Sequence, residues 1–177
     1  TDSIVGDVAA GNLLLTTNGT AVKIVKGVGS SETIADFKED SSVDLYYDNS
    51  KKFETTTNGI DVTGEVLADK AYIAETTLTD GATINWDMST QSVCKVTLGG
   101  NRTLAAPTNG STGQFASILV IQDGTGSRTL TWNAVYEFAS DTAPTLTTTA
   151  SLGDLFTFRY NGSKWLEVGR NQALTLS

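Results

Sequence analysis

The sequence contains no histidine and only one cysteine in 177 residues. Without an imidazole, Ser-His-Asp and Cys-His catalysis and zinc-histidine ligation are excluded outright. Cys94 has no second thiol with which to close a disulfide, and beside Val93 and Val96 it reads as a small buried apolar side chain. Cations are scarce too. Twelve Lys and Arg against 20 Asp and Glu give a formal charge of -8 and a pI near 4.4. The clustered basic residues that a nucleic-acid backbone demands are missing, so no nucleic-acid partner is expected and the acidity reads as solubility. No apolar run approaches the roughly 20 residues of a membrane span, so membrane insertion is not expected. No charged, then apolar, then small-residue leader is legible, so no secretory signal is expected.

Proline is also rare, with two residues, whereas glycine occurs 17 times and Thr, Val and Ile abound. That mixture favours strands broken by frequent turns. No window of a dozen residues keeps a helical apolar period with capping signals, so the fold class is all-β. Residues 43–64 carry the clearest pattern. Val43, Leu45 and Tyr47 alternate with Asp44, Tyr46 and Asp48, as on a strand with one buried face. Asp48-Asn49-Ser50-Lys51 and Asn58-Gly59 supply turn chemistry on either side of a second strand. A Thr-Thr-Asn-Gly core occurs twice, at Thr16–Gly19 and Thr56–Gly59 in a Thr-rich context, and suggests a repeated β unit. Such short strands have too thin an apolar side to bury a core alone, so partner chains are expected. Residues 1–64 are therefore read as a modular β shaft and 65–81 as a connector.

From Ala82 the texture changes: strands lengthen and all three tryptophans appear. Eight candidate strands lie at 83–88, 92–98, 102–105, 114–122, 128–132, 145–149, 154–160 and 164–169. Their number and spacing predict a β-sandwich, jelly-roll-like knob over 82–177. Phe115 to Ile121 is nearly continuously apolar, as in a central strand covered on both faces. In the closing hairpin, a three-residue loop of Asn161, Gly162 and Ser163 would pair Phe158 with Leu166 and Phe156 with Val168 on one buried face. Arg159 and Trp165 would then be outward cross-strand neighbours, the leading candidates for a ligand or interface. Tyr136 and Phe138 are added as solvent-facing aromatics in an inter-strand loop, while Trp86 and Trp132 fall at core spacing. Gly124-Thr125-Gly126-Ser127 lacks the following helix of a phosphate loop and reads as a hairpin turn. Asp87, Glu137 and Asp154 are carboxylates with nothing to place any two about one glycosidic bond. Asp123, Asp141 and Asp154 lack the dense spacing of a calcium loop. No catalytic residue, metal or cofactor is expected.

Two blocks carry a family resemblance. One is Leu45-Tyr46-Tyr47-Asp48-Asn49-Ser50-Lys51-Lys52-Phe53-Glu54-Thr55-Thr56, continued through Gly59 and Val62-Thr63-Gly64. The other runs from Asn85-Trp86-Asp87 through Val96-Thr97-Leu98-Gly99-Gly100-Asn101-Arg102-Thr103-Leu104 to Pro107-Thr108-Asn109-Gly110, then Gly126-Ser127-Arg128-Thr129-Leu130-Thr131-Trp132 and Trp165. Both resemble segments of bacteriophage tail-fibre and appendage proteins, and the second resembles the C-terminal knob of such fibres. The resemblance implies a homotrimer with an extended intertwined shaft, whose three chains share each sheet, ahead of a receptor-binding tip. It also implies virion assembly in the host cytoplasm, contact with other virion proteins, and adsorption to the host surface; a host cell-surface glycan is a partner that the outward Arg159 and Trp165 pair would suit. The alternatives are a purely structural virion decoration and a free carbohydrate-binding module.

Overall fold

A computed structural model describes residues 19–27 and 32–176. The chain forms two compact units, Thr1–Lys70 and Ala71–Ser177. Residues 16–18 of the first Thr-Thr-Asn-Gly copy lie outside the described residues.

The first unit is a five-stranded antiparallel meander. Its strands are β1 (Ala21–Lys26), β2 (Glu32–Lys38), β3 (Val43–Tyr47), β4 (Ser50–Thr56) and β5 (Gly59–Val62), in that spatial order. The β3–β4 turn contains only Asp48 and Asn49, both with positive φ (48° and 56°), as a tight primed turn requires. That even loop alone would set Leu45 opposite Lys52. An extra residue, Lys52, bulges out and restores the Leu45–Phe53 pairing. The shared face of Leu45 and Phe53 is thus reached by a turn plus a bulge.

The two faces of the meander differ sharply. One carries Val22, Ile24, Ala35, Phe37, Val43, Leu45, Phe53, Ile60 and Val62, with the Lys26–Glu32 ion pair at its β1–β2 end. The other carries Lys23, Asp36, Asp44, Glu54 and Asp61, aligned as one cross-strand row over five strands. Lys23 pairs with Asp36 at 3.3 Å, Lys38 with Asp44 at 2.5 Å, and Lys51 with Glu54. The Lys38 ammonium bonds Asp44 and holds its carboxyl down at about 2. Burial is inverted, because Asp36 and Asp44 are buried under neighbouring lysine stems whereas Ala35 is the one buried apolar residue among the described residues of this unit. All five strands pair within one chain, so any sharing between copies falls to the open edges or the apolar face.

The second unit is wired differently from a jelly roll. Its strands are β6 (Thr76–Thr77), β7 (Thr83–Ile84), β8 (Val93–Leu98), β9 (Arg102–Leu104), β10 (Phe115–Gln122), β11 (Leu130–Trp132), β12 (Tyr136–Glu137), β13 (Leu152–Tyr160) and β14 (Trp165–Thr175). β6 lies in the stretch read as connector and pairs with β8. Successive strands step between two sheets. β6, β8 and β10 stack in parallel in the larger sheet, while β7, β9 and β11 stack in parallel in the smaller one. The result is three coils of a short solenoid rather than the antiparallel Greek keys of a jelly roll. An antiparallel hairpin, β13–β14, then packs beside β10 and takes β12 in parallel at its far edge, giving the order β12-β14-β13-β10-β8-β6. Residues 145–149, expected as a strand, form none.

One core lies between these two layers. Ile84, Leu104 and Leu130 of the smaller sheet face Cys94, Val96, Leu98, Ile118, Val120, Phe156 and Phe158 of the larger. Trp132 bridges the layers, its ring centroid 4.9 Å from Phe156 and 5.4 Å from Tyr136, edge to face. Trp86 is buried, as its spacing suggested.

Candidate interaction surface

The coil corners are fixed by ion pairs that tie each turn to its own strand or to the coil below. Asp80 receives Nε and Nη2 of Arg102, both at 2.7 Å, and the Gly99 amide at 3.1 Å. Those bonds, Arg102 first, hold its carboxyl below the usual range. Asp123 receives Arg128 and the amides of Thr125 and Gly126, and Arg128 brings its carboxyl down to about 2. Gly124-Thr125-Gly126-Ser127 is accordingly a corner between sheets, since β10 and β11 do not pair as a hairpin.

The remaining carboxylates singled out from the sequence serve structure. Asp87 accepts from Ser89 and Asn109, and these bonds, Asn109 first, lower its pKa. Asp154 is buried and accepts the Thr147 and Ala173 amides at 2.6 and 2.9 Å. Glu137 lies 3.4 Å from Lys164. Among the described residues no group of three or more His, Cys, Asp or Glu side chains converges as a metal site.

Of the four candidate interface residues, three are placed differently from expectation. The closing loop has four residues, Asn161 to Lys164, because Tyr160 pairs with Trp165. Asn161 organises it by accepting the Ser163 and Lys164 amides at 2.9 and 2.7 Å. One residue more in the loop turns every side chain of the returning strand to the opposite face. Trp165 therefore goes inward, 2% exposed, and stacks on Tyr160. Leu166, not Trp165, becomes the partner of Arg159. A bulge between Thr157 and Phe158 then leaves Val168 exposed rather than paired with Phe156, whose partner is Arg170. Tyr136 and Phe138 are likewise core side chains. The Tyr136 hydroxyl donates to the Ala105 carbonyl at 3.0 Å, and burial pushes its pKa up.

Arg159 is the candidate that does face solvent. It lies on the outer face of the larger sheet, between Phe115 on β10 and Leu166 on β14, and it makes no ion pair among the described residues. Phe115 and Val168 are each 58% exposed. Leu119 and Leu155 are paired across the centre of the same face and half buried. A shallow hollow lies between Leu155, Thr157, Val168 and Asn171. The β10 run, read as covered on both faces, is covered on one: Ala116, Ile118, Val120 and Gln122 are buried while Phe115, Ser117, Leu119 and Ile121 are not. Ser117, the one hydroxyl inside that apolar run, was the signal that marked the open side.

The polar and apolar features of this face suit a binding surface of modest depth rather than an enclosed catalytic cleft. Comparison with known proteins places the unit that carries it. No curated protein matches the chain significantly. Residues 76–165, just over half of the chain, match the family described as "Putative phage tail fibre C-terminal domain". That stretch opens on β6, the first strand of the coil stack, spans all three coils and continues through β13 to Trp165. The chain belongs to this phage tail-fibre family and is a component of the virion.

Proposed function

We propose that the chain acts as a homotrimeric tail fibre whose C-terminal unit adsorbs to the bacterial surface. The observation that carries this reading is the family match over the coiled unit, joined there by a solvent-facing cation next to an exposed aromatic. Arg159 can bond sugar hydroxyls or carboxylates, and Phe115 offers a flat apolar ring to the face of a pyranose. Each such contact is weak. Three on one fibre reinforce one another through effective concentration, so firm attachment needs no deep pocket. No catalytic step is assigned.

A structural appendage without a ligand is the second reading. It is favoured by the apolar centre of the same face, where Leu119, Leu155 and Val168 could meet another virion subunit. Adsorption of the purified full chain to host cells and to extracted surface polysaccharide tests the choice. The adhesion reading expects saturable binding that Arg159→Ala with Phe115→Ala weakens by at least about tenfold, roughly 1.4 kcal/mol. Absence of binding to every host tested, with the mass in solution unchanged by the variant, would leave neither role for this face.

A further inference from the structure

We infer that the hollow at Gly169, on the outer face of the larger sheet, is a subsite for one anionic sugar residue of the host surface, its charge held by Arg159. This deepens the adhesion reading and rests on it. Gly169 lies in the middle of β14, opposite Thr157 of β13. A glycine inside a strand costs stability relative to alanine, so its place there calls for a cause. Gly59 in β5 takes a φ of +141°, and a methyl on Gly153 in β13 would lie 2.9 Å from Leu176 and 3.0 Å from Leu119. Gly169 has neither cause. Its φ is outside the left-handed region, and a methyl there would meet nothing within 4 Å. The bulge at Val168 does not demand it either, since a bulge that requires glycine requires it for positive φ. What the bare backbone does provide is close approach from outside the chain.

The walls of the hollow suit a sugar. Leu155 and Val168 border it with apolar side chains, and Thr157 and Asn171 border it with polar ones. Neither the Thr157 hydroxyl nor the Asn171 side-chain amide has a hydrogen bond among the described residues, so both are open to sugar hydroxyls. Charge selects among sugars. Arg102, Arg128 and Arg170 are bound to Asp80, Asp123 and Glu167 at 2.7, 2.8 and 3.0 Å. Arg159, by contrast, is exposed and has no ion pair among the described residues. Its neighbouring strands supply none: β10 contains no carboxylate, and Asp154 of β13 is buried on the inner face. A chain with 20 acidic side chains thus keeps them away from this guanidinium. Arg159 stands two residues beyond Thr157 on the same face of β13, roughly 7 Å along the strand. It is placed to take, as a bidentate pair, a carboxylate or phosphate carried by a ring seated over Gly169.

The test uses the full chain and the surface polysaccharide extracted from a host strain to which that chain adsorbs. Affinity is measured for the native polysaccharide, for the same material with its carboxyl groups reduced to alcohols, and for material freed of phosphate. The expected result is a loss of about tenfold or more on one of the two treatments, which names the acid. Arg159→Gln should bind the native polysaccharide that weakly and lose nothing further on the same treatment, with Arg159→Lys in between. Gly169→Val should weaken binding to every form while keeping the thermal midpoint, because its Cβ enters open space. A wild type that binds all three forms equally overturns the anionic assignment and leaves adhesion intact. An Arg159→Gln variant still sensitive to the treatment overturns the role of Arg159. Full binding by Gly169→Val overturns the hollow, and should that variant not fold, full binding by Asn171→Ala does so instead. A chain that adsorbs to no host, or adsorbs without binding the extract, defeats the adhesion reading itself and the inference with it.

Discussion

Trp165 and Tyr160 stack with ring centroids 4.7 Å apart and planes 22° from parallel, as cross-strand partners flanking the closing loop. Above the indole lies Gly110, where an added methyl would meet Trp165 Cζ2 at 2.8 Å. The loop that carries Gly110 and the hairpin that carries Trp165 are thus fitted to each other.

Trp165→Ala is expected to destabilise the C-terminal unit by about 3–5 kcal/mol, the usual cost of emptying a buried aromatic site. Gly110→Ala should cost about 1–3 kcal/mol through overpacking. In the double variant the two losses should fall short of their sum, because the clash vanishes with the indole. Chemical denaturation of all three variants measures this, and strict additivity would show that the two residues do not press on each other.

Gly126 has φ of +74°, and a methyl there would lie 2.5 Å from the Thr148 carbonyl oxygen and 2.8 Å from the Ala150 amide nitrogen. Both obstacles are backbone, which cannot rotate aside. Gly126→Ala should therefore lower the midpoint of thermal unfolding more than Gly124→Ala, where a methyl meets nothing within 4 Å. Equal midpoints would contradict the tight corner.

Asp123 titrates at about 2, against an ordinary 3.8, since Arg128 and two backbone amides bind its charged form. A carboxylate depressed in the folded state contributes stability that is present above the unfolded value and lost as pH falls through the folded one. Stability from this corner should thus decline between pH about 3.8 and about 2. Asp123→Asn should remove that part of the acid sensitivity, read as a flatter unfolding midpoint across the same window. An unchanged slope would mean that Arg128 and Asp123 are not coupled in solution.

Cys94 is buried, its Sγ 3.7 Å from the Ser117 carbonyl oxygen, and burial pushes its thiol up to about 12. The native chain should resist a disulfide reagent at neutral pH and take up one equivalent on unfolding. Rapid reaction of the native thiol would imply that the β8–β10 pairing opens readily.

The sequence conveyed strand content well and wiring poorly. Alternation placed β3, β8 and β10 within a residue of their ends, and the core positions of Trp86, Phe156 and Phe158 followed from the same period. Parallel stacking left no such mark. Thr76, Cys94 and Ile118 are neighbours in space across intervals of 18 and 24 residues, and unequal coils of this kind show no sequence repeat. Trp165 was misplaced for another reason. Its face depends on whether the loop holds three residues or four, a choice made by the Asn161 side chain and by the space beneath Gly110. Arg159 was placed outward correctly, because the strand preceding the loop is anchored to β10 independently of it.

The parallel coils also govern the order of events at the ribosome. β6 pairs with β8, and β8 with β10, never with the strand that comes next in the chain, so the emerging coils offer no hairpin on which structure can start. The β13–β14 hairpin, which follows the coils in the chain, is the local pairing of this unit. Assembly of the coils is therefore expected to wait for that hairpin and to proceed from it back towards β6. Nascent chains arrested before Leu152 should remain sensitive to protease throughout the coil region.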